Sequence, residues 1–236
     1  MKSRNIIDSF NYAISGIIYS IRTQRNLKIH SAAALCALFL SLFYDFTKIE
    51  LLILLSTIVI VFVTELINTA IEKVVDLVTE TFHPLAKIAK DVAAGAVLLA
   101  AANAMIVAYI LFFSKPAVFN MTMNILVKVR QTPLHIAFIN LIIIVLLVFL
   151  IKAKYNSGTP LHGGVVSGHA AIAFAITTII CFLTKNPIIT TLSLFMSLLV
   201  AQSRVEGKIH SLLQVVVGAM VGVGITVFIF SLANTF

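Results

Sequence analysis

Long apolar runs with hardly a charge in them constrain this chain more than any other feature. Residues 51–70, 92–113, 136–151, 170–183, 188–201 and 215–232 are such runs, each long enough, some only with their flanks, to cross a hydrocarbon core of about 30 Å. Residues 31–46 make a seventh candidate crossing. Lipid offers the backbone no hydrogen-bond partners, so each crossing must be helical, and none shows the ten-residue alternation of a barrel strand. The expected fold is an all-α, polytopic membrane helix bundle. Composition agrees: of 236 residues 60% are hydrophobic and 11% charged, against about half and about a quarter in a soluble domain. That excludes an ordinary water-soluble enzyme and a disordered chain. Cys36 and Cys181 both lie in apolar runs, which excludes a disulfide scaffold. The net charge of +8 fits Lys and Arg beside anionic headgroups, not a nucleic-acid partner.

Residues 5–29 differ from the rest. Ile6, Ile7, Phe10, Ile14, Ile17, Ile18 and Ile21 recur at helical spacing between Asn5, Asp8, Asn11 and Ser15. The pattern is that of an amphipathic helix lying in the interface, or of a packing helix of the bundle. A polar, basic opening reads as mature protein rather than an export signal. Lys2, Arg4, Arg22, Arg25 and Lys28 put the N-terminus inside, with Lys73, Lys87 and Lys90 on the same side. Residues 114–133 read as an interfacial linker or an oblique crossing, and this choice decides whether the polar groups of residues 134–236 face the cytoplasm or the outside.

The acids divide the chain. Eight of nine lie at or before Asp91, and only Glu206 lies beyond it. Within the first part Glu65, Asn68, Glu72 and Asp76 are spaced by three, four and four residues, so they share one helix face at the end of an apolar run. Intramembrane acids are costly and mark function. Lys90 and Asp91, at the mouth of the next run, add a phosphate-binding cation beside another carboxylate. Together these are parts for phosphoryl transfer: a base for a hydroxyl, oxygen ligands for Mg²⁺, and a cation for phosphates. No Walker or Gly-rich loop is present, which excludes a soluble kinase fold.

Arg25-Asn-Leu-Lys-Ile-His30, Glu65-Leu-Ile-Asn-Thr-Ala-Ile-Glu-Lys-Val-Val-Asp76 and His83-Pro-Leu-Ala-Lys-Ile-Ala-Lys-Asp-Val-Ala-Ala-Gly-Ala-Val97 resemble the prokaryotic diacylglycerol kinase and undecaprenol kinase family. The resemblance implies a homotrimer of three-helix protomers, each with a surface helix, and composite sites at the cytoplasmic interface. It implies Glu65 as the base, Asn68 orienting it on the substrate side, and Glu72 holding Mg²⁺. Tyr12, Asp76, His83, Lys90 and Asp91 would serve ATP. The family's second metal-binding glutamate is Gln24 here, a neutral and weaker ligand.

In the acid-poor part, Ser167-Gly-His169 opens one run, Ser203-Arg204 is followed after five intervening residues by His210, and Lys152 and Lys154 end another. Two imidazoles among cations, with no carboxylate cage, suit a phosphate and a phosphohistidine better than a divalent metal. Lys152 followed after six intervening residues by Thr159-Pro160, Val166-Ser-Gly-His169, and Ser203-Arg204 with His210 resemble the type 2 phosphatidic acid phosphatase signature. The resemblance implies His210 as nucleophile, His169 as general acid, and Lys152, Ser167, Gly168 and Arg204 as phosphate binders, with no cofactor. Three family residues are replaced: Arg by Thr159, Pro by Val166 and Asp by Gln214. Gln214 can accept an imidazole N–H bond but cannot stabilise imidazolium by charge, so Glu206 is the expected substitute partner. His162 is a further candidate near the phosphate.

The expected organisation is a kinase-like domain at 1–113, the linker at 114–133, and a lipid phosphatase-like domain at 134–236 with four crossings where that family has six. The expected function is a multi-pass enzyme of the bacterial cytoplasmic membrane. One half would phosphorylate undecaprenol or diacylglycerol with MgATP, and the other would hydrolyse a lipid phosphate. One active half only, or a non-enzymatic lipid-phosphate-binding module, are the alternatives.

Overall fold

The computed structural model describes residues 6–44, 46–113, 133–155 and 165–232. Among them are eight α-helices and no strand: α1 (Ile6–Thr23), α2 (Arg25–Ser41), α3 (Lys48–Val78), α4 (Pro84–Ala108), α5 (Pro133–Tyr155), α6 (Gly168–Thr184), α7 (Pro187–Glu206) and α8 (Leu212–Leu232). The all-α bundle expected from the apolar runs is what forms. These residues belong to two compact units, one within Ser20–Met121, the other within Met1–Tyr19 and Thr122–Phe236. Apart from Pro133, the expected linker lies outside the described residues, as do Thr159 and His162.

The amphipathic segment is shorter than its sequence pattern. Gln24 is extended (φ −93°, ψ 121°), so α1 stops at Thr23 and Arg25 to His30 become the first turns of α2. That leaves residues 31–41 of α2 as its apolar part, roughly 17 Å at 1.5 Å per residue, too little to cross by itself. Among the described residues five helices have the length and hydropathy to cross: α3, α4 with the π-type turn Tyr109–Phe113 that continues it, α5, α7 and α8. α6 is apolar but only 17 residues long. Of the seven expected crossings, five are thus helices of spanning length among the described residues, with α6 a shorter apolar helix. The protein is a multi-pass membrane protein.

In the first unit α3 and α4 form an antiparallel hairpin. A capping box opens α3: Glu50 N–H donates to Thr47 Oγ1 (3.2 Å) and Thr47 N–H to Glu50 Oε2 (2.8 Å). α4 opens at Pro84, with Leu85 N–H donating to His83 Nδ1 (3.2 Å). One end of the hairpin is apolar, with Leu54 packed on Leu111 and Phe112 beside Tyr44 and Phe46. The other end joins Asp76 to Lys90. At 31 residues, α3 is about 46 Å long and overshoots a hydrocarbon core of about 30 Å, which puts its polar last turns at headgroup level.

In the second unit α6 packs against α5, α7 and α8. Ile144 and Val148 of α5 meet Ala171 and Ala175 of α6, with Ile225 of α8 alongside. Buried polar groups join helices: Asn140 Nδ2 donates to Thr226 Oγ1 (2.9 Å), and the hydroxyls of Thr177 and Ser197 are 2.7 Å apart. Such bonds contribute on average about 0.6 kcal/mol each between membrane helices. The closest approach is α8 on α6. A Cβ at Gly218 would collide with the carbonyl oxygen of Ser167, and one at Gly222 with that of Ala171. Gly218 and Gly222 are a small-xxx-small pair through which two backbones touch.

Gly222→Ala should therefore destabilise the protein by about 1–3 kcal/mol through overpacking, while Gly224→Ala, where an added Cβ meets nothing within 4 Å, should leave it unchanged. Thermal unfolding of the two variants in detergent checks the contrast; equal midpoints would contradict the close approach.

Candidate functional site

The first unit presents the predicted stripe along one face of α3, and the stripe is partnered at every step. Glu65 is 1% exposed, with Oε1 3.4 Å from Nε2 of His30 on α2 and the Asn26 side chain also in reach. No group stands in hydrogen-bonding geometry to that oxygen. Asn68 Nδ2 donates to Glu72 Oε1 (3.0 Å), and Gln24 Nε2 donates to Glu72 Oε2 (3.3 Å). One turn on, Asp76 accepts from Lys90 (2.6 Å), with Lys73 Nζ 3.8 Å from its other oxygen. Asp91 is exposed on α4 and His83 caps that helix, while Tyr12, exposed on α1, falls in the other unit. Thus three partnered groups, Glu65 with His30, Glu72 with Asn68 and Gln24, and Asp76 with Lys90, follow one another along α3 as the rungs of a ladder.

At the buried end of the ladder lies an apolar cavity of about 320 Å³ between α2, α3 and α4. His30 lines it together with Ala34, Leu54, Thr57, Val61 and Ala104. One imidazole therefore touches both the cavity and the Glu65 carboxyl. The donor set further along is all oxygen: the Glu72 carboxylate and the carboxamide oxygens of Asn68 and Gln24. Asn68 Oδ1 is buried without a hydrogen-bond partner, an acceptor in surplus. Such a set suits a hard divalent cation that takes its remaining ligands from phosphates and water. It supplies one carboxylate, and among the described residues no three His, Cys, Asp or Glu side chains gather as a cage.

The second unit brings the two predicted histidines and their cations to one end of the bundle. Ser167 is fully buried and caps α6, its Oγ accepting from Ala170 N–H (3.4 Å), which sets Gly168 and His169 in the first turn. Lys152 at the end of α5, Arg204 at the end of α7, and His210 all act electrostatically on His169. Arg204 O accepts from His210 N–H (3.1 Å), closing the turn that presents His210. The Arg204 Nε–H is buried with no hydrogen-bond partner, and Lys152 is 5% exposed. A buried donor left over beside a buried ammonium is a site for a multivalent anion.

Glu206 does not take the place expected of it. Its Oε1 accepts from Gln202 (2.6 Å) at the exposed end of α7, while His210 Nδ1 lies 3.0 Å from Gln214 Oε1. His30, Asn26, Gly218 and Gly222 were not singled out by sequence reasoning as parts of a site. The signals were present: an ionisable side chain opening an apolar run for His30, and a G-x-x-x-G spacing in an apolar helix for the glycines.

Comparison with known proteins finds two families. The model of prokaryotic diacylglycerol kinase matches residues 11–112, and that of the PAP2 superfamily matches residues 93–236. A diacylglycerol kinase from Synechocystis is 46% identical over 104 residues, 44% of this chain and 59% of that protein. An undecaprenol kinase from Bacillus subtilis is 44% identical over 107 residues, 45% of this chain and 87% of that protein. A diacylglycerol kinase from Escherichia coli K12 is 31% identical over 109 residues, 46% of this chain and 89% of that protein. No solved structure matches.

Replacing Arg204 by Met should weaken binding of orthovanadate or inorganic phosphate to the second unit by about 10–100-fold, the worth of a hydrogen bond to a charged group. Calorimetric titration of the purified protein checks this; unchanged affinity would remove Arg204 from the anion site.

Proposed function

We propose that this chain, which belongs to the prokaryotic diacylglycerol kinase family over residues 11–112 and to the PAP2 superfamily over residues 93–236, is a bifunctional enzyme that makes and removes a lipid phosphate. The boundary between the two activities falls within residues 114–133. The observation that carries the kinase reading is the gradient along α3, from apolar cavity to His30 and Glu65 to Glu72 to Asp76 and Lys90. An alcohol with a long apolar tail is matched at one end, and a polyphosphate with its cation at the other. Undecaprenol and diacylglycerol, the lipids in the relatives' names, are the candidate alcohols.

In that reading Glu65, held by His30, removes the proton from the lipid hydroxyl. The resulting oxygen attacks the γ-phosphorus of ATP, and the bond to the bridging oxygen breaks to release ADP. Asn68 orients the hydroxyl. Lys90, aligned by Asp76, meets the phosphates, with Asp91, His83 and Tyr12 on the nucleotide side. Mg²⁺ would be held by Glu72 with the oxygens of Asn68 and Gln24, and when bound it neutralises phosphate charge. Both oxygens of Glu72 now accept amide N–H bonds, so cation binding requires these amides to turn.

The phosphatase reading rests on the junction of His169, His210, Lys152 and Arg204 in a setting with no free carboxylate among the described residues. His210 attacks phosphorus. The bond to the lipid oxygen breaks as His169 delivers a proton to it, leaving a phosphohistidine that water, deprotonated by His169, then hydrolyses to inorganic phosphate. Lys152, Arg204, Ser167 and Gly168 hold the equatorial oxygens. The bacterial cytoplasmic membrane is the proposed location, with a homotrimer assembled through the kinase half.

Glu65→Gln should lower ATP-dependent lipid phosphorylation by about 10²–10⁴-fold and leave phosphate release from the lipid phosphate intact, whereas His210→Ala should do the reverse. Thin-layer separation of labelled lipids reads both activities, and a variant that loses both or neither would defeat the assignment. Gln24→Glu should lower the Mg²⁺ concentration for half-maximal transfer by about tenfold by adding an anionic ligand; an unchanged requirement would show that this position does not face the metal.

A further inference from the structure

We propose that the base of the kinase site is a carboxylate–imidazole pair, in which His30 positions Glu65 and carries the hydroxyl proton from the buried carboxyl to water. The proposal rests on the kinase reading, in which Glu65 is the first proton acceptor. The Glu65 side chain is 1% exposed. A proton collected there has to leave before the next turnover, and the polar groups that act on the carboxyl set its route. They are Asn26, His30 and, two turns along α3, Glu72. An amide takes up no proton at neutral pH, and both Glu72 oxygens already accept amide N–H bonds. That leaves His30, whose Nε2 is 3.4 Å from Glu65 Oε1 and whose side chain is 22% exposed.

The local sequence builds this arrangement. α2 starts after the extended Gln24, and Leu27, Ser31, Ala34 and Leu38 belong to its buried face. Ser31 Oγ donates to Leu27 O (2.7 Å), so the hydroxyl on that face is already committed. Asn26 and His30, four residues apart, flank the face on one side. Arg25 and Lys28 in the same two turns are exposed, which puts the start of α2 at headgroup level, where a released proton meets water. Toward the apolar interior the imidazole lines the cavity, and the other polar lining residue, Thr57, donates its hydroxyl to Ile53 O (2.8 Å). Among the lining residues, His30 is therefore the one whose polar atoms can meet an arriving alcohol, with the Glu65 carboxyl beside it.

The proton count closes over one turnover. The lipid O–H bond breaks and its proton goes to Glu65 Oε1, the oxygen with no group in hydrogen-bonding geometry to it. The lipid oxygen bonds to the γ-phosphorus while the bond to the bridging oxygen breaks, and ADP leaves. Glu65 then passes the proton to His30 Nε2, and the imidazolium releases one proton to water. Both groups return to their starting state, with one proton released for each phosphate transferred. The separation of 3.4 Å is somewhat longer than a charge-assisted bond of about 2.7–2.9 Å, a gap that a small turn of the ring closes as the substrate enters. While the proton is on either group the pair is neutral overall, so its passage leaves no net charge in the apolar wall.

Two variants of the full-length protein in detergent test this, read as the initial rate of ADP formation from MgATP with dioctanoylglycerol or a short-chain prenol. His30→Gln keeps a hydrogen-bonding side chain that takes up no proton. It should lower kcat by about 10²-fold with KM for ATP and for the alcohol little changed. His30→Ala should lose as much and regain activity with added imidazole, but not with pyrrole, a ring of the same size without a basic nitrogen. Unchanged kcat in both variants, a loss that imidazole does not restore, or one that pyrrole restores equally would overturn the proposal. The pairing also has a readout without turnover. In ¹⁵N spectra of histidine-labelled protein, the Nε2 signal of His30, assigned against His30→Gln, should shift in Glu65→Gln, and an unmoved signal would overturn the pair. If the wild type phosphorylates neither alcohol the kinase reading falls, and the spectra still decide whether His30 is coupled to Glu65.

Discussion

An ionisable side chain removed from water must be given a partner, and in a chain this apolar the few available partners decide where everything else goes. Along α3 the pairing is consecutive: Glu65 with His30, Glu72 with Asn68 and Gln24, Asp76 with Lys90. These contacts bind α2 and α4 to α3 at one end, while Leu54, Leu111 and Phe112 bind the other. Two acceptors escape full satisfaction, Glu65 Oε1 and Asn68 Oδ1. An acceptor left without a donor in a buried place is the one most ready to take a proton or a cation, so the incompleteness of the ladder is also its chemistry.

The second unit meets the same constraint with the opposite sign. Lys152, Arg204 and two histidines converge where no carboxylate is free among the described residues. Like charges gathered in this way repel each other unless a shared anion sits between them, and a phosphate monoester is such an anion. Two glycines set how the helices meet here, since α8 reaches α6 closely enough for Gln214 O to accept from Ser167 N–H only where Gly218 and Gly222 carry no side chain.

Much of this was legible in the sequence. Apolar run length gave the helices, the 3-4-4 spacing from Glu65 gave the stripe, and the spacing of Lys152, His169, Arg204 and His210 gave the cation cluster. What the sequence hid was mostly a matter of partners. His30 stands thirty-five residues before Glu65, and no local rule pairs them. Gln24 reads as a helical residue by its neighbours, yet its extended backbone divides α1 from α2. Glu206 was the obvious acid for His210 by charge alone, but it sits at the exposed helix end four residues beyond Gln202, where an i,i+4 bond is nearer at hand. The glycine pair of α8 is invisible to hydropathy because a bare backbone scores as apolar filler.

Opposed activities on one chain would let a single polypeptide set the level of a lipid phosphate in its own membrane, with the carboxylate pocket adding the group and the imidazole pocket removing it. The most direct measurement tracks one labelled phosphate through both. Purified protein in vesicles containing undecaprenol or diacylglycerol is given γ-labelled ATP and Mg²⁺, and the label is traced with time. Two working pockets require it to appear first on the lipid, then as orthophosphate, with an acid-labile label on His210 trapped in between. Orthophosphate released with no labelled lipid ever formed, or label that stays on the lipid with no protein-bound intermediate, would contradict the pairing of a carboxylate kinase with an imidazole phosphatase.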